Sequence, residues 1–419
     1  MQRRTSRWLT AGALAAAGTL ILTGCGSGFS ESPEPGAGGG DDLTSSDDAL
    51  SVLIGSSGDA ETKAVTDAVA AWSESSGTDA ELNVASDLPQ QLSQGFSSGK
   101  PADLFYLGAE QLPGFAANGS LLAYGDLLDN KDDFYPSLVS SFTYEGDFYC
   151  APKDFSSLAL EINTDMWAAA GLTDDDIPTT WEELEAVSRT LTTPDVVGLT
   201  IGAEYQRLGA FMAQAGGNLM NDDSTEATAN SAENVEALTF VQKMLTDGSL
   251  KYAKDVGAGW AGEAFGKGLA AMTIEGNWIT GAMQNDFPDV KYAIAELPEG
   301  PAGKGTMQFS NCWGIAADSP NQKAALELVQ ELTSAESQLA FSAAFGPMPS
   351  IQSAAEDWKT ANPELVPFLN GAEYANGVPI IKGSTDVMTD LNSKIEGLKT
   401  GDPKAILDSA QSNIEALLK

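Results

Sequence analysis

The sequence predicts an α/β fold in two lobes, and three observations carry that expectation. From Leu50 onward, short apolar runs of strand length alternate with stretches of helical periodicity. Roughly 370 residues follow the N-terminal segments, more than one hydrophobic core comfortably serves. No internal repeat and no heptad run interrupts the alternation, which excludes solenoids and coiled coils.

The chain opens on a targeting segment. Arg3, Arg4 and Arg7 precede an apolar run from Trp8 to Leu22, too short and too rich in Ala and Gly for a permanent membrane helix. Residues 1–24 therefore read as a signal peptide. Leu22-Thr23-Gly24-Cys25 resembles the bacterial lipobox, in which a peptidase leaves the cysteine as a lipidated N-terminus; an ordinary cleaved signal with a chance cysteine is the alternative. From Gly26 to Asp48 the chain is Gly, Ser, Pro and acid with few apolar side chains, and cannot bury enough surface to offset chain entropy. The segment 25–48 is expected to be a lipidated cysteine and flexible tether, with a reach of roughly 25 Å as a coil.

Next come the elements of the fold. Ala49–Ile54 reads as a strand, and Ala60–Ser75 as a helix with Ala64, Val65, Ala68, Val69 and Trp72 on one face. A strand at Ala80–Ala85, a short helix at Leu88–Phe96, a strand at Asp103–Leu107 and a helix at Leu112–Ala117 continue the series and point to a largely parallel sheet. Phe142–Tyr144 and Phe148–Cys150 flank Glu145-Gly146-Asp147 as a hairpin, whose second arm runs through Ala151-Pro152-Lys153-Asp154 to a strand at Leu158–Ile162. Thr180-Trp181-Glu182-Glu183 spells a capping box, a hydroxyl and a carboxylate that satisfy each other's free backbone N–H groups. Val197–Gly202, Leu269–Ile274, Tyr292–Ala295 and Trp313–Ala317 read as further strands, and the C-terminal stretch as mostly helical.

Composition narrows the chemistry. With 22 basic against 59 acidic residues the formal charge is −37, which argues against nucleic acid or an anionic membrane surface as partners; solubility is the simple explanation. Histidine is absent, which excludes Ser-His-Asp and Cys-His nucleophiles and histidine-ligated zinc and leaves carboxylates, Lys and Tyr as general acids or bases. Gly266-Lys267-Gly268 lacks the spacing of a phosphate loop, and Asp174–Asp176 and Asn221–Asp223 lack that of a calcium loop, so no metal and no cofactor is expected. Cys150 and Cys312 are an even pair in an exported chain and are expected to be bonded, two buried free thiols being the alternative.

Several strands end in small, polar or acidic residues: Gly55–Asp59, Gly108–Glu110 and Glu275–Asn277. Ligands of open α/β sheets bind at the carboxyl ends of strands, although strand-to-helix turns need Gly and N-cap residues in any case.

Four segments, in order, carry a resemblance. PADLFYLGAEQLPGFAANGSLLAYGDLL, GDFYCAPKDFSSLALEINTDMWAAAGL followed by PTTWEEL, AFGKGLAAMTIEGNWI, and QFSNCWGIAADSPNQKAALELVQELTSAESQ together resemble the family 1 extracellular solute-binding proteins. These are the maltose-binding-like clamshells that serve ABC importers, and the matching segments span most of residues 50–350. Asn311-Cys312 departs from the pattern, since many relatives carry two glycines there. The resemblance implies a periplasmic-binding-protein-like clamshell with a crossover hinge: lobe one from 49–152 plus 298–340, lobe two from 153–297 plus 341–419, with Cys150 and Cys312 near the crossover. It further implies a monomer, not an enzyme, that takes a small solute, a mono- or oligosaccharide, into the interlobe cleft. The partners implied are the permease subunits of an ABC transporter, with the membrane touched only through the lipid anchor and the protein held outside the cytoplasm.

A sugar site needs aromatic faces against pyranose C–H groups and carboxylates or amides for vicinal hydroxyls. Trp278 occupies the family's stacking position, and Glu275 and Asn277 precede it. Asp59, Glu110 and Asp154 are the other acids singled out, with Ser57 and Asn311 as polar neighbours. Trp260 and Trp313 divide between burial and binding, and Phe155 and Tyr205 complete the expected set. Trp72, Trp167 and Trp181 lie on helical faces or caps and read as structural. Other classes stay open: a carbohydrate-active enzyme working through paired carboxylates, a polyamine or other non-sugar binder, and a surface sensor with the same fold.

Overall fold

The computed structural model describes residues 43–419. The leader, Cys25 and the tether up to Asp42 lie outside the described residues, and with them the signal-peptide and lipidation readings. No helix among the described residues is long and apolar enough to cross a membrane.

Among the described residues, fourteen strands form two main sheets and a hairpin. In chain order they are β1 (Leu50–Ile54), β2 (Ala80–Val84), β3 (Leu104–Gly108), β4 (Thr143–Tyr144), β5 (Asp147–Phe148), β6 (Ala151–Pro152) and β7 (Ser156–Asn163). There follow β8 (Val197–Ile201), β9 (Leu250–Tyr252), β10 (Ala270–Gly276), β11 (Tyr292–Ala295), β12 (Thr306–Phe309), β13 (Asn311–Ile315) and β14 (Ala375–Asn376). The first sheet has the order β2-β1-β3-β13-β6; the second runs β14-β12-β7-β10-β8-β9, with β11 also paired to β7.

The expected parallel pairing holds for β2-β1-β3 and for β10-β8-β9. It fails at β13, antiparallel to β3 and β6, and at β7, antiparallel to β10, β11 and β12. The reason is connectivity. A chain that crosses from one sheet to the other arrives running against the strands that point toward the gap, and no crossover helix turns it round.

Side-chain patterning explains the local structure. β1 alternates buried and half-buried residues, with Leu50, Val52 and Ile54 inward. The helix Asp59–Ser76 buries Glu61, Val65, Val69 and Trp72, one stripe at helical spacing. Thr180 and Glu183 form the expected capping box at the start of the helix Trp181–Leu191. β7 is buried along its whole length because strands cover both its edges and helices its faces.

Two apolar cores follow, one per sheet. Val52, Phe105, Phe142, Trp313 and Val329 belong to the first; Leu160, Leu199, Phe211 and Met272 to the second, which the C-terminal helices close with Leu391 and Ile414. A third cluster, including Tyr135, Leu138, Phe155, Ile279, Met348 and Trp358, lies where the chain passes between the sheets. Each fully buried side chain of this size contributes about 1.5–3 kcal/mol by leaving water, so the crossing region is itself held by apolar packing.

The chain first crosses between β6 and β7 and returns between β12 and β13. Residues 298–309, expected with lobe one, run instead with the second sheet, because β12 pairs with β7, Gln308 opposite Ser157. The helix Ala335–Phe345 lies against the first core through Phe341, past the expected boundary at 340. Phe155 and Met348 exchange backbone hydrogen bonds of 3.1 and 3.3 Å and so tie a third passage to the first.

Cys150 and Cys312 are bonded, with Cα atoms 5.5 Å apart across a sequence separation of 162. Both are fully buried, and the bond joins the run into β6 to β13, the chain leaving the first sheet to the chain coming back.

The expected tether differs at its C-terminal end. Leu43 packs against the first core, Thr44 Oγ1 donates to Ser319 O at 2.6 Å, and Ser46 Oγ donates to Asn321 Oδ1 at 2.8 Å. Thr44 O also accepts from Lys323 N at 3.1 Å, which satisfies a free N–H at the start of the helix Gln322–Leu332. One leucine and two hydroxyls suffice to dock the segment, a pattern too short to stand out in a polar stretch.

Candidate functional site

In the second lobe the strand end of β10 builds a wall. Glu275 is the penultimate residue of β10 and 1 % exposed; Trp278 begins the next helix and is 38 % exposed. Gly276 makes this possible, since a Cβ there would overlap the Trp278 ring that lies back across the strand end. The indole is held: its Nε1 donates to Glu275 Oε2 at 3.1 Å, and the ring meets Phe309 edge-on with centroids 5.0 Å apart. Arg207 Nη2 donates to the same Glu275 oxygen at 2.6 Å, and its Cζ lies 5.4 Å from the Trp278 centroid and 5.3 Å from that of Phe309.

Behind this wall lies Glu161 on β7, fully buried, its Oε2 accepting from Glu275 N at 3.1 Å while Oε1 meets no partner among the described residues. Burial, and then the neighbouring Glu275 charge, hold the Glu161 carboxyl well above the usual range, so it keeps its proton. Burial also pushes Glu275 up, and Arg207 opposes that.

The first lobe contributes a second paired cluster. Lys153 Nζ lies 3.1 Å from Glu61 Oε1 and contacts Asp154 as well, over the ring of Tyr106 at 4.7 Å. Burial would lower the Lys153 pKa, but Asp154 and Glu61 more than offset it and hold the ammonium above its ordinary value. Burial would likewise raise Glu61, yet Lys153 and two hydrogen bonds from Ser57, at 2.7 and 2.6 Å, leave it below the usual carboxylate range. Glu61 thereby fixes the loop that follows β1. Tyr106 OH also donates to Glu61, at 3.1 Å, and the Tyr106 ring meets Trp313 with centroids 4.7 Å apart. Lys153, Asp154, Tyr106, Trp313, Phe341 and Phe345 line one small cavity.

The two walls meet. Gln206, one residue before Arg207, donates from Nε2 to Glu110 Oε1 at 3.0 Å, joining the turn after β8 to the turn after β3. That bond links the carboxyl ends of β1 and β3, joined to each other by Tyr106 and Glu61, to those of β8 and β10, joined by Arg207 and Glu275.

Not every expected residue lines these walls. Glu275, Trp278, Glu110 and Asp154 line the two walls, and Ser57 is bound into the Glu61 cluster. Asp59 is exposed at the start of its helix, in the loop region after β1, and Asn311 is exposed opposite Gly108, at the carboxyl end of β3. Asn277 is buried, with its backbone N bonded to Ser156 and its side chain to Gly346 O, so its role there is to hold the crossing. Trp313 is buried under Tyr106, Phe155 lies in the crossing cluster, and Trp260 packs beside that cluster across Gly262. Tyr205 lies in the core of the second lobe, its OH toward Asn218 at 3.3 Å; the first turn of its helix points Tyr205 inward and Gln206 toward the cleft.

Sequence reasoning missed Glu61, Tyr106, Lys153, Gln206, Arg207 and Phe309. For two of them a signal was present: Gln206 and Arg207 follow the carboxyl end of β8, where the strand-end rule applies as it does at β1, β3 and β10. Lys153 stood beside Asp154, and a buried carboxylate calls for a cation.

Strands that cross between two α/β lobes, with polar clusters on the facing strand ends, are the frame of the two-lobed binding proteins, which take a solute between their halves. Residues 68–367 match the family described as bacterial extracellular solute-binding protein, and the chain belongs to that family. Its members are binding proteins and not enzymes. Among relatives, a binding protein of Brucella abortus is 23% identical over 349 residues, 79% of this chain and 83% of that protein. The diacetylchitobiose binding protein DasA of Streptomyces coelicolor is 26% identical over 262 residues, 60% of each chain. The crystal structure of a cyclic alpha-maltosyl-1,6-maltose binding protein from Arthrobacter globiformis is similar in fold, with a TM-score of 0.78 at 22% identity over 88% of this chain and 99% of that one.

Proposed function

We propose that this protein captures a neutral sugar, a mono- or oligosaccharide, between its lobes and delivers it to the permease subunits of an ABC importer, held at the membrane surface through a lipidated Cys25. One observation carries the ligand class: Trp278 offers an exposed, anchored aromatic face next to a carboxylate that is already ion-paired. Lys153 is shared by Glu61 and Asp154, and Arg207 by Glu275 and, at 3.5 Å, Glu204, so every one of these acids meets a cation although each cluster keeps one net negative charge. Ion-paired carboxylates still accept hydrogen bonds from hydroxyls, whereas a polyamine would have to compete with Lys153 and Arg207 for them.

DasA and the Arthrobacter protein, both named for carbohydrate ligands, support the reading. On this view lobe one comprises β1–β6 and β13 with the helices through Phe345, lobe two comprises β7–β12 and β14 with the C-terminal helices, and the passages between them form the hinge. A thermal-shift screen against carbohydrates and polyamines tests it: a ligand at 100 times its dissociation constant adds about 2.7 kcal/mol of stability. A polyamine hit with no sugar hit overturns the proposed class, and release of a cleaved product would return the enzyme.

A further inference from the structure

Arg207 is buried, and the groups its side chain meets are all at the cleft face. Nη2 reaches Glu275, Nη1 reaches Glu204, and Cζ lies near the rings of Trp278 and Phe309. Its Nε has no hydrogen-bond partner among the described residues. An arginine kept to brace the lobe would spend its five N–H groups on backbone carbonyls and helix ends. This one leaves a donor unused and stays against the indole.

One oxygen organises the group. Glu275 Oε2 accepts both from Arg207 Nη2, at 2.6 Å, and from Trp278 Nε1, at 3.1 Å. Arginine, carboxylate and indole therefore fix one another: the carboxylate orients the indole, and the guanidinium opposes the effect of burial on the carboxyl and holds it against the ring. The indole carries the exposed surface, while Arg207 and Glu275 stay beneath it.

We propose that Arg207 is a positioning residue of the ligand site, acting through Glu275 and Trp278: it sets the angle at which the indole faces the cleft and cancels the carboxylate charge under it. The proposal deepens the carbohydrate reading and rests on it for the ligand's identity. Without Arg207, Glu275 would lie buried with Glu161 behind it and Glu204 near it and no cation in reach, so it would take up a proton. A protonated Glu275 can turn its O–H toward another acceptor, and the indole loses its anchor.

The test needs no ligand for its decisive arm. In the full chain labelled with 5-fluorotryptophan, the fluorine resonance missing from Trp278→Phe is that of Trp278. Arg207→Lys and Arg207→Gln are expected to shift and broaden that resonance, leaving the other tryptophan signals in place as evidence of an intact fold. Should Arg207→Gln not fold, Glu275→Gln cuts the same link from the other side and should move the same signal. A Trp278 resonance unchanged in Arg207→Lys and in Glu275→Gln overturns the proposal. A second arm titrates maltotriose: binding about tenfold weaker in Arg207→Lys, at an unchanged melting temperature, is expected. Absence of wild-type binding to any carbohydrate counts against the sugar reading alone, since the resonance decides the role of Arg207.

Discussion

Gln206 Nε2 donates to Glu110 Oε1 at 3.0 Å, and through that bond a helix of the second lobe holds a loop of the first across the cleft. A contact that exists only when the lobes approach favours the approached state by its own free energy, about 0.5–1.5 kcal/mol for one hydrogen bond. Gln206→Ala should therefore widen the unliganded protein, seen as a larger radius of gyration in small-angle scattering, and weaken ligand binding by roughly twofold to tenfold. Identical scattering curves for variant and wild type, with and without ligand, would remove the bond from the closing equilibrium.

Trp278→Ala removes the exposed face and should cost about 1–3 kcal/mol of binding, one to two decades in Kd. Glu275→Gln keeps the shape but exchanges a charge-assisted bond for a neutral one, and should cost less. Calorimetric titration with the solute found by screening ranks the two. Wild-type affinity in Trp278→Ala would take the indole out of the site.

Glu161 gives a pH prediction with a definite sign. Its folded pKa is raised, so between the ordinary carboxylate value and that higher one the folded chain holds a proton that the unfolded chain has lost. Stability must then fall as pH rises through this interval. Glu161→Gln cannot ionise, so its stability relative to wild type should grow as pH rises from about 4, near the ordinary glutamate pKa, toward the raised folded value. Urea melts across that range check it, and a difference independent of pH would mean that Glu161 is not protonated in the fold.

Replacing Cys150 and Cys312 together by Ala should lower stability by up to about 5 kcal/mol in the chain-entropy account, because the bond closes a loop spanning 162 residues of separation. The expected signature is a lower melting temperature for the double variant, matched by wild type unfolded in reductant. Alkylation of both thiols in denatured, unreduced wild type would show that no bond forms.

Cys25→Ser should block lipidation and either release the protein into the medium or stall its processing. A variant that stays on the membrane at wild-type mass would end the anchor reading.

How legible was all this beforehand? The strands β1, β2, β3 and β11 and the Thr180–Glu183 cap could be read nearly to the residue, because apolar alternation and capping chemistry are local. β12 could not be: Thr306–Phe309 carries a buried Gln308 whose amide nitrogen donates to Ser137 O and Ser141 Oγ, residues far away in sequence. The site divides in the same way. Trp278 and Glu275 lie on one strand end and were found together; Arg207 meets them from the helix that follows another strand, through a contact 68 residues apart in sequence. Burial separated Tyr205 from Gln206, since which side of a helix faces a cleft is decided by what packs on the other side.

The docked segment at Leu43–Ser46 has a mechanical meaning. A pull on the chain from its N-terminal side does not reach β1 directly; it is met first by Thr44 and Ser46, whose bonds to Ser319, Asn321, Gln322 and Lys323 lie side by side and share the load. Force therefore enters the molecule at the start of the helix Gln322–Leu332, and β1, which leads into the Ser57 loop, is shielded from it.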